Sequence, residues 1–129
     1  MAATSAEKIV LFHFNDVYNA EECAPFVNKL ISEKAKVATV PSATFFCGDA
    51  FSPSIMSTIM HGKQMVPVLN RCGITAACLG NHDLDHSLVI FEKLRKASNF
   101  PWVCSNARYL PALEEGGEPD SAPPLGGCA

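Results

Sequence analysis

What most constrains this chain is a regular punctuation: three apolar or β-branched runs, at residues 8–14, 43–47 and 74–79, each stop at a short cluster of polar ligand-type residues. The clusters are Asn15-Asp16, Gly48-Asp49 and Gly80-Asn81-His82-Asp83. Asp16 and Asp49 are 33 positions apart and Asp49 and Asn81 are 32 apart, close to the roughly 30 residues of one strand–helix–strand unit. The intervening segments have helical spacing. Residues 21–36 repeat Phe26, Val27, Leu30 and Ile31 on one stripe, and residues 85–97 repeat Leu88, Ile90, Phe91 and Leu94. Residues 53–71 are helical but broken at His61-Gly62, where glycine is the expected stop, so two short helices are predicted there. Residues 101–104 read as a short fourth strand.

Alternation of strand and helix, with strands apolar on both sides, predicts an α/β fold with a mostly parallel sheet and covering helices. The carboxyl ends of parallel strands share one edge, which is where open sheets of this kind bind ligands. The three clusters should therefore converge. Carboxylate, amide oxygen and imidazole together suit a divalent ion acting as a Lewis acid, and one carboxylate can bridge a pair of such ions. Gly48 and Gly80, immediately before their polar neighbours, let the backbone turn sharply and come close to an ion or phosphate.

Three segments carry a resemblance: His13-Phe14-Asn15-Asp16-Val17-Tyr18, Cys47-Gly48-Asp49-Ala50-Phe51-Ser52-Pro53-Ser54 and Leu79-Gly80-Asn81-His82-Asp83-Leu84-Asp85. In that order they resemble the first three metal-site motifs of calcineurin-like metallophosphoesterases, in their 5'-nucleotidase branch. Residues 62–70 and 99–102 are similar to connecting segments of the same branch. The resemblance implies the first half of a four-layer α/β/β/α sandwich. It implies two divalent metal ions, drawn from Mn, Zn, Fe, Mg or Ca, with Asp16 on the first, Asp49 bridging both and Asn81 on the second. His82 would stabilise the phosphoryl transition state or leaving oxygen, and Asp85 would orient it. The implied activity is hydrolysis of phosphate monoesters, nucleoside monophosphates in particular, by a metal-activated water.

Two positions depart from the pattern. Many relatives have Asp-x-His at the first motif, where this chain has Tyr18; either Tyr18 faces away or the first metal is weakly held. The family also takes further histidine ligands from the second half of its sandwich, and His13, His61, His82 and His86 are the four histidines in this chain. The expectation is therefore an N-terminal half-domain over residues 1–110, with its C-terminal half missing. Residues 111–129 are rich in Pro, Gly and acidic residues and are expected to be a loop or frayed end. A truncated, non-catalytic fragment or interaction module is the alternative reading. A dinucleotide-binding fold ranks last, because no Gly-x-Gly-x-x-Gly turn follows the first strand.

Composition narrows the partners. Net charge is −3, and the ten Lys and Arg residues are scattered rather than gathered into a basic face, which argues against nucleic acid as a partner. No apolar stretch reaches the roughly 18 residues that span a bilayer, and residues 1–7 lack the features of a secretory leader, so a cytoplasmic protein without membrane contact is expected. With no route to an oxidising compartment, Cys47, Cys72, Cys78 and Cys104 are read as buried reduced thiols in apolar surroundings. Asp85 can cap the helix it opens, orient His82, or do both. His13 is read as a hydrogen-bonded structural residue, and His61 and His86 as helix-end residues. Met56, Met60, Met65 and Trp102 are read as packing residues.

Overall fold

The computed structural model describes residues 8–105. The expected loop over residues 111–129 lies outside them. Four strands, β1 (Val10–Phe14), β2 (Ser42–Phe46), β3 (Ala76–Cys78) and β4 (Trp102–Val103), form one sheet in the order β1-β2-β3-β4. All three pairings are parallel: Val10 to Phe14 lie opposite Ser42 to Phe46, Phe46 lies opposite Ala77, and Ala77 opposite Trp102. Four helices connect them: α1 (Cys23–Lys36), α2 (Ile55–Met60), α3 (Met65–Arg71) and α4 (Leu88–Ala97). The expected α/β class and parallel sheet are both present.

Each strand is placed beside its predecessor, always stepping the same way. Right-handed connections, the near-universal hand for parallel strands, then deliver every helix to the same side. The burial pattern agrees. Phe14, Thr44, Phe46, Ala77 and Trp102 face the helices and are buried. Phe14 meets Phe26 of α1 at a ring distance of 5.0 Å, and Trp102 meets Phe91 of α4 at 5.3 Å and Phe51 at 5.6 Å. These rings supply large apolar area in edge-on or tilted geometry, and form the spine of the core.

Helix limits follow from local chemistry. The pattern from residue 21 divides into a 3-10 turn, Ala20–Glu22, and then α1, whose Cys23, Val27 and Leu30 form the buried stripe. Ile31 falls at the stripe's edge and is 40% exposed. Helix α2 opens on a reciprocal cap between Ser54 and Ser57 and stops at His61, which takes the left-handed conformation. A side chain at the following Gly62 would collide with Phe51 and Leu94, 2.7 and 2.9 Å away, so this break is also where the α2–α3 turn presses into the core. Of the three methionines read as packing residues, Met65 is buried, whereas Met60 at the end of α2 is exposed. At the opposite end of the sheet from the polar clusters, Lys34 reaches Thr44 Oγ1 at 2.8 Å and the carbonyls of Cys72 and Gly73 at 3.1 and 2.7 Å. Its charge is thus spent on pinning α1 to the start of β3.

The other side of the sheet is open among the described residues. Leu11 is 61%, Phe45 38% and Val103 39% exposed, and His13 is exposed beside them. Two of the expected buried thiols, Cys47 and Cys78, are exposed here, while Cys23, Cys72 and Cys104 are buried. The correction has a simple origin: side chains alternate along a strand, and an apolar run does not reveal which side is covered. None of the described helices is long and apolar enough to cross a membrane.

Candidate active site

The strand ends do converge. The β1–β2 ladder continues past both strands, with the Cys47 amide donating to the Phe14 carbonyl at 2.8 Å, the Asp16 amide to Gly48 at 3.2 Å and the Val17 amide to Asp49 at 3.1 Å. Asp16 and Asp49 both adopt the left-handed conformation, with φ of 56° and 67°. That region disfavours residues carrying a Cβ by about 1–2 kcal/mol and is concentrated at functional sites. Gly48, at φ 94°, packs against Gly80 so closely that a methyl group on it would lie 2.5 Å from the Gly80 amide nitrogen. The two glycines are therefore required by close approach, and their contact brings the second and third clusters together.

One carboxylate holds this arrangement. Asp83 is 2% exposed and accepts hydrogen bonds from the backbone amides of Asp49 (3.0 Å), Ala50 (2.8 Å), Phe51 (3.3 Å) and Gly80 (2.9 Å). The return contact is made by Asp49, whose Oδ1 accepts from the His82 amide at 2.8 Å. Burial raises the Asp83 carboxyl above its ordinary value, against the downward pull of its four amide donors. The sequence reading gave Asp83 no role. A signal was available in Asp49-Ala50-Phe51, consecutive amides leaving a strand with no ladder to join, for which a buried carboxylate is the natural acceptor.

His82 and Asp85 are in direct contact, Nδ1 to Oδ2 at 2.8 Å, with both side chains about two-fifths exposed. The Asp85 hydrogen bond raises the His82 imidazole above its ordinary value. The same bond, with a further one from the Ser52 hydroxyl, holds Asp85 low against its desolvation. Of the two roles weighed for Asp85, the structure selects contact with His82, because Ser87 caps α4 by accepting from the Ile90 amide at 3.3 Å. Tyr18 faces the cluster rather than away from it: its hydroxyl donates to Asp16, as does the Asn15 amide, and its ring stands edge-on to His82 at 6.1 Å. The bond to Asp16 pushes the Tyr18 phenol well above the usual range.

Asp16, Asp49, Asn81, His82 and Asp85 thus all lie on the carboxyl edge of the sheet, in the loops after β1, β2 and β3. Asn81 opens the 3-10 turn His82–Leu84 and is exposed. Asp16, Asp49 and Asn81 offer hard oxygen donors, the right type for a divalent ion such as Mg, Mn or Ca. Among the described residues no group of three or more His, Cys, Asp and Glu is placed to hold a metal ion, so the fit to a divalent ion rests on the chemistry of these donors. His61 and His86 pack on each other, rings 5.2 Å apart, and His13 lies on the open side of the sheet.

No family model matches the sequence. It is 34% identical over 62 residues to a snake venom 5'-nucleotidase from Gloydius brevicauda, covering 47% of this chain and 10% of that protein. The 5'-nucleotidases of Bos taurus and Mus musculus are 24% and 25% identical over 118 and 123 residues, covering 78% and 82% of this chain and 21% of each relative. The chain thus spans between a tenth and about a fifth of the length of the curated relatives it matches. Among solved structures, the calcineurin-like phosphoesterase YfkN from Bacillus subtilis superposes with a TM-score of 0.57 at 16% identity, over 72% of this chain and 35% of that one.

Proposed function

We propose that the chain, similar over most of its length to 5'-nucleotidases and in fold to a calcineurin-like phosphoesterase, takes part in metal-dependent hydrolysis of phosphate monoesters, with nucleoside monophosphates as substrates. The observation that carries this reading is the pair of left-handed aspartates, Asp16 and Asp49, held beside Asn81 and His82 at adjacent strand ends. Two divalent ions, when bound, would supply Lewis-acid activation of water and offset charge on the phosphoryl group. The residues to hold them are Asp16, Asp49 and Asn81. His82, kept protonated to higher pH by Asp85, donates a hydrogen bond where negative charge grows on the phosphoryl or leaving oxygen. Asp85 fixes the imidazole with its Nδ1 engaged, which leaves Nε2 to face the substrate.

The test is release of phosphate from a nucleoside monophosphate with added Mn²⁺ or Zn²⁺. Activity that disappears in Asp49→Ala and Asn81→Ala supports the reading, and activity unchanged in Asp49→Ala overturns it. A second reading, a non-catalytic binding module of the same fold, is favoured by the sparse donor set. Calorimetric titration separates the two, because tight binding of two Mn²⁺ ions per chain is incompatible with a module that has lost its metals.

A further inference from the structure

We propose that Tyr18 is a positioning residue with two contacts, its hydroxyl fixing the Asp16 carboxylate for a divalent ion and its ring fixing the plane of the His82 imidazole. This role, which rests on the metal-dependent function proposed above, is carried by the placement of one side chain between two loops. Tyr18 lies in the loop after β1, with Asp16, and His82 in the loop after β3. The Tyr18 hydroxyl donates to Asp16 Oδ1, and its ring meets the His82 ring at 6.1 Å with the planes 88° apart. One rigid phenol thus touches both a metal donor and the group assigned to the phosphoryl oxygens.

Asp16 needs such a partner. Its main chain is fixed, at φ 56° and by the amide bond to the Gly48 carbonyl, but the residue is exposed, and an exposed carboxylate turns freely about its side-chain torsions. A donor on each oxygen removes that freedom: Tyr18 holds Oδ1, and Asn15, through its Nδ2, holds Oδ2. An ionised carboxylate has about four lone-pair sites on its two oxygens, so each oxygen keeps one for an ion while both are already aimed. Ordering a group before it binds lowers the entropic cost of binding. Of the two donors, Tyr18 is also braced from a second loop, through His82.

His82 gains a second restraint in return. Asp85 engages its Nδ1 at 2.8 Å, but a single hydrogen bond tolerates a range of angles, and the side chain is 38% exposed, so packing does not enclose it. An edge-on aromatic neighbour sets the plane, and about 4.5–7 Å is the attractive range for such ring pairs. Nε2, the atom left to face the substrate, is then aimed by both partners. Tyr18 thereby ties the orientation of Asp16 to that of His82 across loops whose own strands, β1 and β3, do not pair.

The experiment separates the two contacts with Tyr18→Phe, which removes the hydroxyl and keeps the ring, and Tyr18→Leu, which removes both. Tyr18 is half-buried at the sheet edge, outside the core cluster, so the fold tolerates either. NMR of the metal-free protein follows the Asp16 carboxyl carbon and the His82 ring protons, and calorimetric titration measures Mn²⁺ uptake. The expected result is a displaced Asp16 signal in both variants and displaced His82 ring signals in Tyr18→Leu, those of Tyr18→Phe staying near the wild type. Mn²⁺ affinity should fall about 10-fold or more in Tyr18→Phe, as when hydrogen-bonded partners of metal ligands are removed. An Asp16 signal unmoved by Tyr18→Phe overturns the hydroxyl contact, and His82 signals unmoved by Tyr18→Leu overturn the ring contact. Superimposable Mn²⁺ isotherms for Tyr18→Phe and the wild type overturn the positioning role even where both signals move. Failure of the proposed function looks different: the wild-type protein itself takes up no Mn²⁺, which removes the metal role of Tyr18 together with that of Asp16 and leaves the two contacts to the NMR signals.

Discussion

The two sides of this sheet are made by the same strands and by equally apolar residues, yet they are different surfaces. Phe46 is 1% exposed and packs with Trp102 and Phe14, whereas Phe45, one residue earlier, is 38% exposed above a shallow groove. Apolar character decides that a side chain can be buried. Topology decides whether it is, because four strands laid down in one direction receive all their helices on one side. The comparison can be broken or sharpened by substitution.

The largest expected effect is on the covered side. Phe46→Ala should lower unfolding free energy by about 3–5 kcal/mol, the usual cost of emptying a large aromatic site, read from the midpoint of urea unfolding; a loss below 1.4 kcal/mol, tenfold in the equilibrium, would break the assignment of this side as the core. Next comes the edge where the sides meet. Asp83→Ala leaves four buried amides without their acceptor, and hydrogen bonds to a charged group contribute ~1.5–3 kcal/mol each; because they share one carboxylate, a loss of about 3 kcal/mol is expected. Hydrogen exchange should show the Asp49, Ala50, Phe51 and Gly80 amides becoming labile before the strands do.

A smaller effect concerns pH. The His82 pKa is raised, so the stabilisation that its pairing with Asp85 gives the imidazolium is fully present below 6.5 and lost as pH rises through the folded value. The Asp85 pKa is lowered, so its contribution is present above 3.8 and lost as pH falls through its folded value. The pair therefore acts across the interval between. Proton NMR of the metal-free chain should find His82 titrating above 6.5, and Asp85→Asn should return it toward 6.5; no movement would sink the assigned partnership. The smallest effect is on the open side, where Leu11→Ser should change stability by no more than about 0.5 kcal/mol. A large loss there would mean that the side is covered in solution.

Much of the fold was legible because its signals are local. The break at His61-Gly62, the short strand around Trp102 and the converging clusters after each apolar run can all be read from residue type and spacing. What was not legible depends on partners distant in sequence. Asp83 looks like one more carboxylate in Gly80-Asn81-His82-Asp83 until the Asp49 loop, over 30 positions earlier, is laid against it. Asp85 could not be separated from a helix cap until Ser87 was found doing that work. Cys47 and Cys78 read as interior thiols because periodicity places residues on sides of a strand and says nothing about which side a helix will cover.

The strand order has a consequence in time. Each strand pairs with the one synthesised just before it, so strand pairing is confined to successive units and no strand waits for a distant partner. At ~5–20 residues per second of synthesis, a unit of roughly 30 residues emerges every ~2–6 seconds, and each can dock on what has already left the ribosome. Asp16 and Asp49 emerge with the first two units, but the Asp83 carboxylate and the Gly80 contact that set the Asp49 loop arrive only with the third. The two aspartates are made early and shaped late.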